Sequence, residues 1–372
     1  MTNATQNDVA ASGRRPALPS WVIGRIESFG IPVLALIAGA MLFSLFLMTQ
    51  GKSPLEFFAL VWRAAFSSAF SWKNTLSHVS PLLMAALCVA IPARLGLMVI
   101  GGEGAIILGG LAAAVVGASC GSIPAFFGFA AMVVAAFVVG GVWIGTVGAL
   151  RVKRGVNETI SSLLMAYIAT AIFNQLVESV FRDPASLNKP ATMPIPDALR
   201  VTDLPFLSTH WGVPVGIVIC IACYFLLERT TIGFAARVTG DNIRAAQVQG
   251  LPVSRLVIGF TGLAGGLAGL GGFFEVSAIY GNANDSLISG VGNTGILVAF
   301  LARHHPLAII PVALLLGGFE ASSGLVQRRM DLPDATILVF EGCIFILVLL
   351  SETLYGRSDS LIRKILFAGR SK

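Results

Sequence analysis

The sequence predicts an all-α fold, a polytopic membrane helix bundle, and three observations support this prediction. First, 55% of the 372 residues are apolar and only 12% are charged, whereas an ordinary soluble domain has about 25% charged residues. Second, the mean hydropathy is +0.83, and so few charged side chains cannot cover a soluble protein of this length. Third, apolar runs recur along the whole chain. The apolar content also excludes a disordered chain, and five cysteines are too few for a disulfide scaffold.

The apolar runs predict about ten transmembrane segments within a membrane domain at 29–352, because a span needs about 20 apolar residues. The third and eighth runs are short and rich in glycine, which favours broken or re-entrant helices. The predicted spans are 29–49, 76–95, 104–120, 124–149, 158–180, 211–228, 255–279, 287–302, 306–325 and 334–352.

The basic residues predict the orientation. Residues 1–28 are polar and 353–372 are basic, so we expect both to be cytoplasmic tails. With the N-terminus inside, 17 of the 25 Lys and Arg residues lie on the cytoplasmic side and 8 outside. This bias predicts a multi-pass inner-membrane protein with both termini inside, in contact with lipid. It also explains the net charge of +6 without any nucleic-acid partner; only Arg328 and Arg329 fit it poorly.

Two connections predicted to lie on the outer side differ in composition from the apolar runs. Residues 54–70 mix aromatic and polar side chains, including Trp62 and Arg63, and we expect a helix lying on the outer surface of the membrane. The loop at 181–210 contains five prolines, which favour a fixed irregular path over a helix.

The longest inner connection, 229–255, predicts a short helix of about two turns. Asp241 is a suitable N-cap, Gly250 suits the position after the last turn, and Pro252 follows it. From the residues alone this helix is either a docking surface or a plain surface helix. Its candidate residues are Asp241, Asn242, Ile243, Arg244, Ala245, Ala246, Gln247 and Gly250.

Glycine clusters occur at 96–110, 262–272 and 290–295. The cluster at 262–272 is typical of helices that approach closely in lipid. The other two place glycine and polar residues at the start of short apolar runs, as discontinuous helices that line a cavity do. The candidate residues of a translocation pathway are Gly101, Glu103, Gly104, Asn293, Thr294 and Gly295.

Carboxylates inside apolar runs mark further candidate positions, because they are costly in a membrane unless they face a cavity or a partner. Glu103 has two interpretations: it is the N-cap of a helix that starts at Gly104, or it lines the pathway. Glu275, Glu320 and Glu341 also lie within apolar runs.

No motif supports catalysis, a cofactor or a metal site in this chain. The ending Gly-Lys-Ser at 51–53 lacks the first glycine of a phosphate-binding loop, since Phe46 stands there. A His-Glu-x-x-His pattern is also absent. We therefore expect no catalytic residues in this chain.

Four motifs resemble those of bacterial ABC importer permeases for branched-chain amino acids, simple sugars and nucleosides. Residues 92–104 (PARLGLMVIGGEG) resemble the signature R-x-G-x-x-N-I-G-x-E-G, and 156–160 (VNETI) resemble V-N-E-x-I. Residues 240–250 resemble G-[ED]-N-x-x-A-A-x-x-x-G, and 292–306 resemble G-x-x-G-I-A-V-A-L-L-G-R-x-x-P. The chain departs from the pattern at Val99, where the family has Asn, and at Gly102. The pattern is most similar to the nucleoside and simple-sugar branch.

The resemblance implies a permease subunit that moves a small molecule while a separate ABC ATPase subunit hydrolyses ATP. It implies that the 241–249 helix is the coupling helix docked on that ATPase. A periplasmic or lipoprotein solute-binding protein and a second permease, identical or not, would complete the transporter. The alternative is a self-sufficient secondary carrier, with Glu103 or Glu275 coupled to protons or sodium.

Overall fold

A computed structural model describes residues 20–352 except 122, 187, 188, 203, 205–208 and 334, with side chains described from residue 30. Within this part the protein is helical and contains no β-strand, only two isolated bridges, Arg182–Thr192 and Ala191–Asn284. The predicted all-α class is confirmed. The predicted tails at 1–19 and 353–372 lie outside the described residues.

The described chain forms α-helices of very different lengths, with a π-helical segment, Glu275–Tyr280, that directly continues α10. A 3₁₀ turn, Asp285–Leu287, precedes α11. The helices are α1 (Ser20–Thr49), α2 (Pro54–Phe66), α3 (Ala69–Ala93), α4 (Gly102–Ser119), α5 (Ala125–Arg154), α6 (Glu158–Glu178), α7 (Gly212–Arg229), α8 (Thr231–Asp241), α9 (Ile243–Val248), α10 (Val253–Phe274), α11 (Val291–Leu301), α12 (Pro306–Met330) and α13 (Ala335–Glu352).

Each of the ten predicted spans corresponds to a helix. Among the described residues, eight helices are long and apolar enough to cross a membrane; the shorter apolar stretches are Asp285–Leu301 and Ala335–Ser351. The predicted short eighth segment is confirmed, since α11 has only 11 residues. The third, α4, has 18 residues and qualifies as a span.

Two boundaries differ from the prediction. Helix α1 begins at Ser20, inside the predicted tail 1–28, because hydropathy marks the stretch that suits lipid rather than the end of a helix. In the connection at 229–255, α8 runs to Asp241 and was not predicted. Helix α8 contains both polar and apolar residues, so no apolar run in the sequence indicated it.

The predicted surface helix is α2, which begins at the N-cap Ser53 and has Pro54 in its first turn. One face, with Phe57 and Ala65, is buried, while Leu55 and Trp62 are exposed. This amphipathic character suits a membrane surface. Its location on the outer side stays a prediction.

The chain divides into two compact units, Met1–Phe46 with Gly342–Lys372, and Leu47–Glu341. The boundaries fall within α1 and α13. In the smaller unit, the backbone of Gly39 lies close to Ile344. The larger unit contains α2 to α12 and the candidate site.

Helix α10 lies at the centre of the larger unit and packs against α5, α4 and α3. Glycines make this packing possible: a Cβ on Gly265 would overlap the carbonyl oxygen of Gly140, and one on Gly269 would overlap that of Ala136. The glycine cluster at 262–272 therefore serves close helix packing, as predicted.

Substituting Gly269 by alanine is expected to destabilise the protein by about 1–3 kcal/mol, because the added methyl group meets backbone that cannot rotate away. Gly259 in the same helix is the matched control, since nothing lies within 4 Å of a Cβ there. Gly259→Ala should be neutral or stabilise by up to about 1 kcal/mol. The measurement is the midpoint of thermal unfolding in detergent; equal midpoints for the two variants would contradict the packing described.

Candidate functional site

The first part of the site is the non-helical break between α3 and α4. Backbone groups in this break are paired with α6: the amide of Ile100 donates to Oγ of Ser162 (3.1 Å), and Oγ1 of Thr159 donates to the carbonyl of Met98 (2.9 Å). Irregular backbone at membrane depth is tolerated when it is satisfied in this way. A Cβ on Gly101 would overlap the carbonyl oxygen of Ser162, so this position must stay glycine.

Glu103 joins this break to a second one, in front of α11. Its Oε1 accepts from the backbone amide of Gly290 (3.0 Å) and its Oε2 from that of Gly292 (2.5 Å). Gly290 is the N-cap of α11, has a left-handed backbone (φ 86°) and provides no side-chain cap. The carboxylate of Glu103 supplies the missing cap and places negative charge at the positive end of α11.

The prediction that Glu103 is the N-cap of a helix starting at Gly104 is therefore wrong. Helix α4 starts at Gly102 with Gly101 as its N-cap, and Glu103 lies in its first turn. The carboxylate caps a helix 187 residues away along the chain. Residue patterns within a single helix could not predict a contact between residues so far apart in the sequence.

The other pathway candidates occupy several environments. Gly104 is buried, and a Cβ there would press on Ala169 and Trp143. Gly295 packs in the same way against Ala85 of α3. Thr294 is buried and donates to Oε2 of Glu341 (2.9 Å), whereas Asn293 is exposed. Gly101, Gly104 and Gly295 thus serve close packing.

The residues at 288–293, which we name the 288–293 segment, separate two cavities. Ile288, Gly290 and Asn293 line one cavity of about 270 Å³, together with Glu103 and Tyr167; we name it the Asn293 cavity. Ser289 and Val291 line another of about 250 Å³, the Glu275 cavity. Successive residues from Ile288 to Val291 thus line the two cavities in alternation, and Glu103 holds this stretch in place.

The Glu275 cavity contains polar groups that the sequence marked only as intramembrane carboxylates. Glu275 and Glu320 both line it, with His78, whose Nδ1 lies 3.4 Å from Oε2 of Glu320. Glu275 is 2% exposed, and its buried Oε2 has no hydrogen-bond partner within the described chain. An acceptor without a partner among the described residues is therefore buried next to this cavity.

The second part of the site is the connection with α8 and α9. Helix α9 is capped by Asn242, whose Oδ1 accepts from the amide of Ala245 (3.1 Å). The predicted N-cap Asp241 is wrong, because it ends α8. Adjacent Asp and Asn are both good caps, and the extended backbone falls on Asn242. The predicted position of Gly250, directly after the last turn of the helix, is confirmed, and its backbone is left-handed (φ 76°).

The outward face of α9 is partly apolar. Ala246 is fully buried against the rest of the protein, while Ile243 and Val248 are 47% and 88% exposed. Arg244 and Gln247 are also exposed. An exposed aliphatic pair beside a basic side chain is suited to a protein partner.

Ionic contacts tie this connection to the break in front of α4. Glu228 pairs with Arg94 (2.6 Å), at the end of α3, and with Arg237 of α8 (3.1 Å). A Cβ on Gly240 would overlap the carbonyl of Arg94, so the two backbones touch. The motifs at 92–104 and 240–250 include Arg94 and Gly240 but do not predict that they meet, and Glu228 and Arg237 belong to no motif.

His304, in the turn between α11 and α12, belongs to the same end of the bundle. Burial, with the positive charges of Arg94 and Arg303, lowers the pKa of His304 to about 4. The turn that ends α11 is therefore close to the turn that ends α3.

Comparison with known proteins gives a consistent result. The family described as branched-chain amino acid transport system, permease component, matches residues 71–349. The guanosine ABC transporter permease protein NupP of Bacillus subtilis is 29% identical, over 86% of this chain and 94% of that protein. The glucose ABC transporter permease protein TsgB13 of Haloferax volcanii is 28% identical (91% and 90% covered). The nucleoside ABC transporter permease protein NupB of Lactococcus lactis is 24% identical (85% and 91% covered).

Proposed function

This chain belongs to the family of branched-chain amino acid transport system permease components, and on that premise we propose how it carries a nucleoside or a simple sugar inward. It is a multi-pass inner-membrane protein and the permease component of an ABC importer. The observation that supports our mechanism best is the 288–293 segment, which separates two cavities and is held by Glu103. A short barrier between two cavities suits a solute that crosses in steps.

The partners follow from the family in general terms: an ATPase and a substrate-binding protein. We propose that the ATPase subunit alone hydrolyses ATP and that it binds the exposed face of α9, with Ile243, Arg244 and Val248. A solute-binding protein would deliver the solute at the opposite end, and a second permease subunit would complete the membrane part.

We propose the N-in, C-in orientation, which places α9 in the cytoplasm. The distribution of 17 basic residues inside against 8 outside supports it. The ion pairs of Glu228 with Arg94 and Arg237 also support this orientation, because they place these residues at one end of the larger unit, with α8 and α9. The basic turns that this orientation assigns to the cytoplasm are thus neighbours.

Coupling would proceed along contacts that the structure contains. A movement of α9 displaces α8, and α8 is tied through Glu228 and Gly240 to the turn at Arg94. That turn leads through the break into α4, whose Glu103 holds the amides of Gly290 and Gly292. Closure of the ATPase would in this way shift the 288–293 segment and change which cavity is open.

Inactivating the ATPase subunit tests the proposal in cells. Replacing its phosphate-binding lysine should abolish accumulation of labelled guanosine or glucose, whichever the intact transporter takes up, because the permease has no energy source of its own. Cells that lack only the permease are the control for background uptake. Accumulation that persists and follows the pH gradient would select the secondary carrier.

A further inference from the structure

We infer that His304 is a positioning residue for transport, because it couples α11 to the turn at Arg94. In one of the two states of the importer, Nδ1 of His304 accepts a hydrogen bond from the Nε–H group of Arg94; in the structure the two atoms are not bonded to each other. The inference rests on the proposed import function and adds a second route from α9 to the 288–293 segment. This route enters the segment through α11, whereas the first passes through α4 and Glu103.

Two complementary polar atoms are buried at the same end of the larger unit. Nε of Arg94 and Nδ1 of His304 are both buried, and neither has a hydrogen-bond partner among the described residues. The guanidinium group keeps its protons in proteins, so its Nε–H group is always a donor. Burial and the charges of Arg94 and Arg303 lower the pKa of His304 to about 4, so its imidazole is neutral at neutral pH and offers one acceptor nitrogen. A buried donor and a buried acceptor within electrostatic reach of each other are stabilised when they pair.

Arg94 already belongs to the contacts that would transmit a movement of α9. Its Nη2 pairs with Oε1 of Glu228 (2.6 Å), and Glu228 pairs with Arg237 of α8 (3.1 Å). A Cβ on Gly240 of α8 would overlap the carbonyl oxygen of Arg94, so the backbones also touch. A displacement of α8 is therefore passed to the guanidinium group, and Nε moves with it because the group is planar and rigid.

The turn that contains His304 is held firmly on the end of α11. The amide of His304 donates to the carbonyl of Ala299 (2.8 Å), and the amide of Arg303 donates to that of Phe300 (2.8 Å). The imidazole also packs against the ring of Phe300, with the centroids 4.9 Å apart. Arg303 and His304 both have left-handed backbones (φ 52° and 54°), a strained conformation for residues with a Cβ that is typical of switch regions. A pull on the imidazole therefore acts on α11.

The packing between α3 and α11 leaves room for a small movement. A cavity of about 10 Å³ lies there, lined by the end of α3, the break that follows it, Phe300 and His304. Helix α11 has only 11 residues, and 291–293 belong to the 288–293 segment. A shift of α11 at its His304 end thus moves residues that separate the two cavities.

The test is the ratio of solute uptake to ATP hydrolysis by permease, ATPase and binding protein in proteoliposomes, with guanosine or glucose, whichever the wild type takes up. His304→Gly removes the acceptor and relieves the left-handed strain, so the complex should assemble while the ratio falls about 10-fold or more. His304→Asn places an acceptor oxygen near the position of Nδ1 and tolerates the left-handed backbone, so the ratio should stay within about threefold of the wild-type value. His305→Gly, at the N-cap of α12, is the matched control and should keep the wild-type ratio.

A double-mutant cycle tests the pair itself. Arg94→Lys keeps a positive charge for Glu228 but has no Nε–H group, so we expect it to lower the ratio by about the same factor as His304→Gly. The double variant should be no worse than either single variant, because all three lose the same hydrogen bond.

Three results would overturn the inference and leave ATP-driven import standing. These are a wild-type ratio in His304→Gly, an equal loss in His304→Asn and His304→Gly, and effects of Arg94→Lys and His304→Gly that multiply in the double variant. Absence of ATP-driven uptake by the wild-type complex would instead refute the proposed function, and the inference with it.

Discussion

Replacing Glu103 by glutamine is expected to reduce ATP-driven uptake at least 10-fold. The carboxylate accepts from two backbone amides, the buried one of Gly292 and the partly buried one of Gly290. Glutamine accepts from one and turns its own amino group toward the other, and an unsatisfied buried donor costs about 1–3 kcal/mol. The negative charge at the start of α11 is lost as well. The 288–293 segment then no longer holds its position between the cavities.

The measurement compares initial uptake rates and the amount of assembled complex. Glu178→Gln removes the same charge at an exposed site and should transport at the wild-type rate. We expect the Glu103→Gln complex to assemble, because the change is isosteric and local. Wild-type uptake by this variant would show that the link between α4 and α11 takes no part in transport.

Val248→Asp is expected to separate the permease from its ATPase. Val248 is 88% exposed on α9, and a new carboxylate buried in an apolar contact lacks a partner, which is costly. We expect the ATPase subunit to co-purify at least 10-fold less and uptake to fall with it. Arg244→Glu, on the same exposed face, should uncouple ATP hydrolysis from transport while the fold stays intact.

The matched control is Val180→Asp. Val180 is 70% exposed and follows α6, at the end of the bundle opposite to α9, so the same chemical change should leave co-purification of the ATPase intact. Undiminished co-purification and coupling in Val248→Asp would remove α9 from the interface.

Much of the fold follows from apolar length alone, because a membrane requires runs of about 20 residues whatever packs around them. All ten runs became helices, including the short α11. The boundaries of α1 and the existence of α8 were missed, since polar residues form helices without a hydropathy signal. The preferences of residues at helix ends predicted Gly250 correctly but indicated Asp241 as the N-cap instead of Asn242. Both side chains are good N-caps, and the backbone conformation decides which of the two positions caps α9.

The sequence predicted many residues of the candidate site but not the contacts between them. Glycine clusters and the carboxylate at Glu103 marked both breaks, but the pairing of Glu103 with Gly290 joins parts of the chain 187 residues apart. The same holds for Glu228 with Arg94 and for the vacant acceptor at Glu275. Such contacts depend on packing between helices, which residue patterns along one helix do not contain.

The most direct test of ATP-coupled import is uptake into proteoliposomes with ATP hydrolysis measured in the same sample. Permease reconstituted with its ATPase and binding protein should accumulate guanosine or glucose only when ATP is supplied to the side that α9 faces. Val248→Asp should lose this accumulation. Accumulation by the permease alone, driven by a pH or sodium gradient and indifferent to ATP, would contradict the importer.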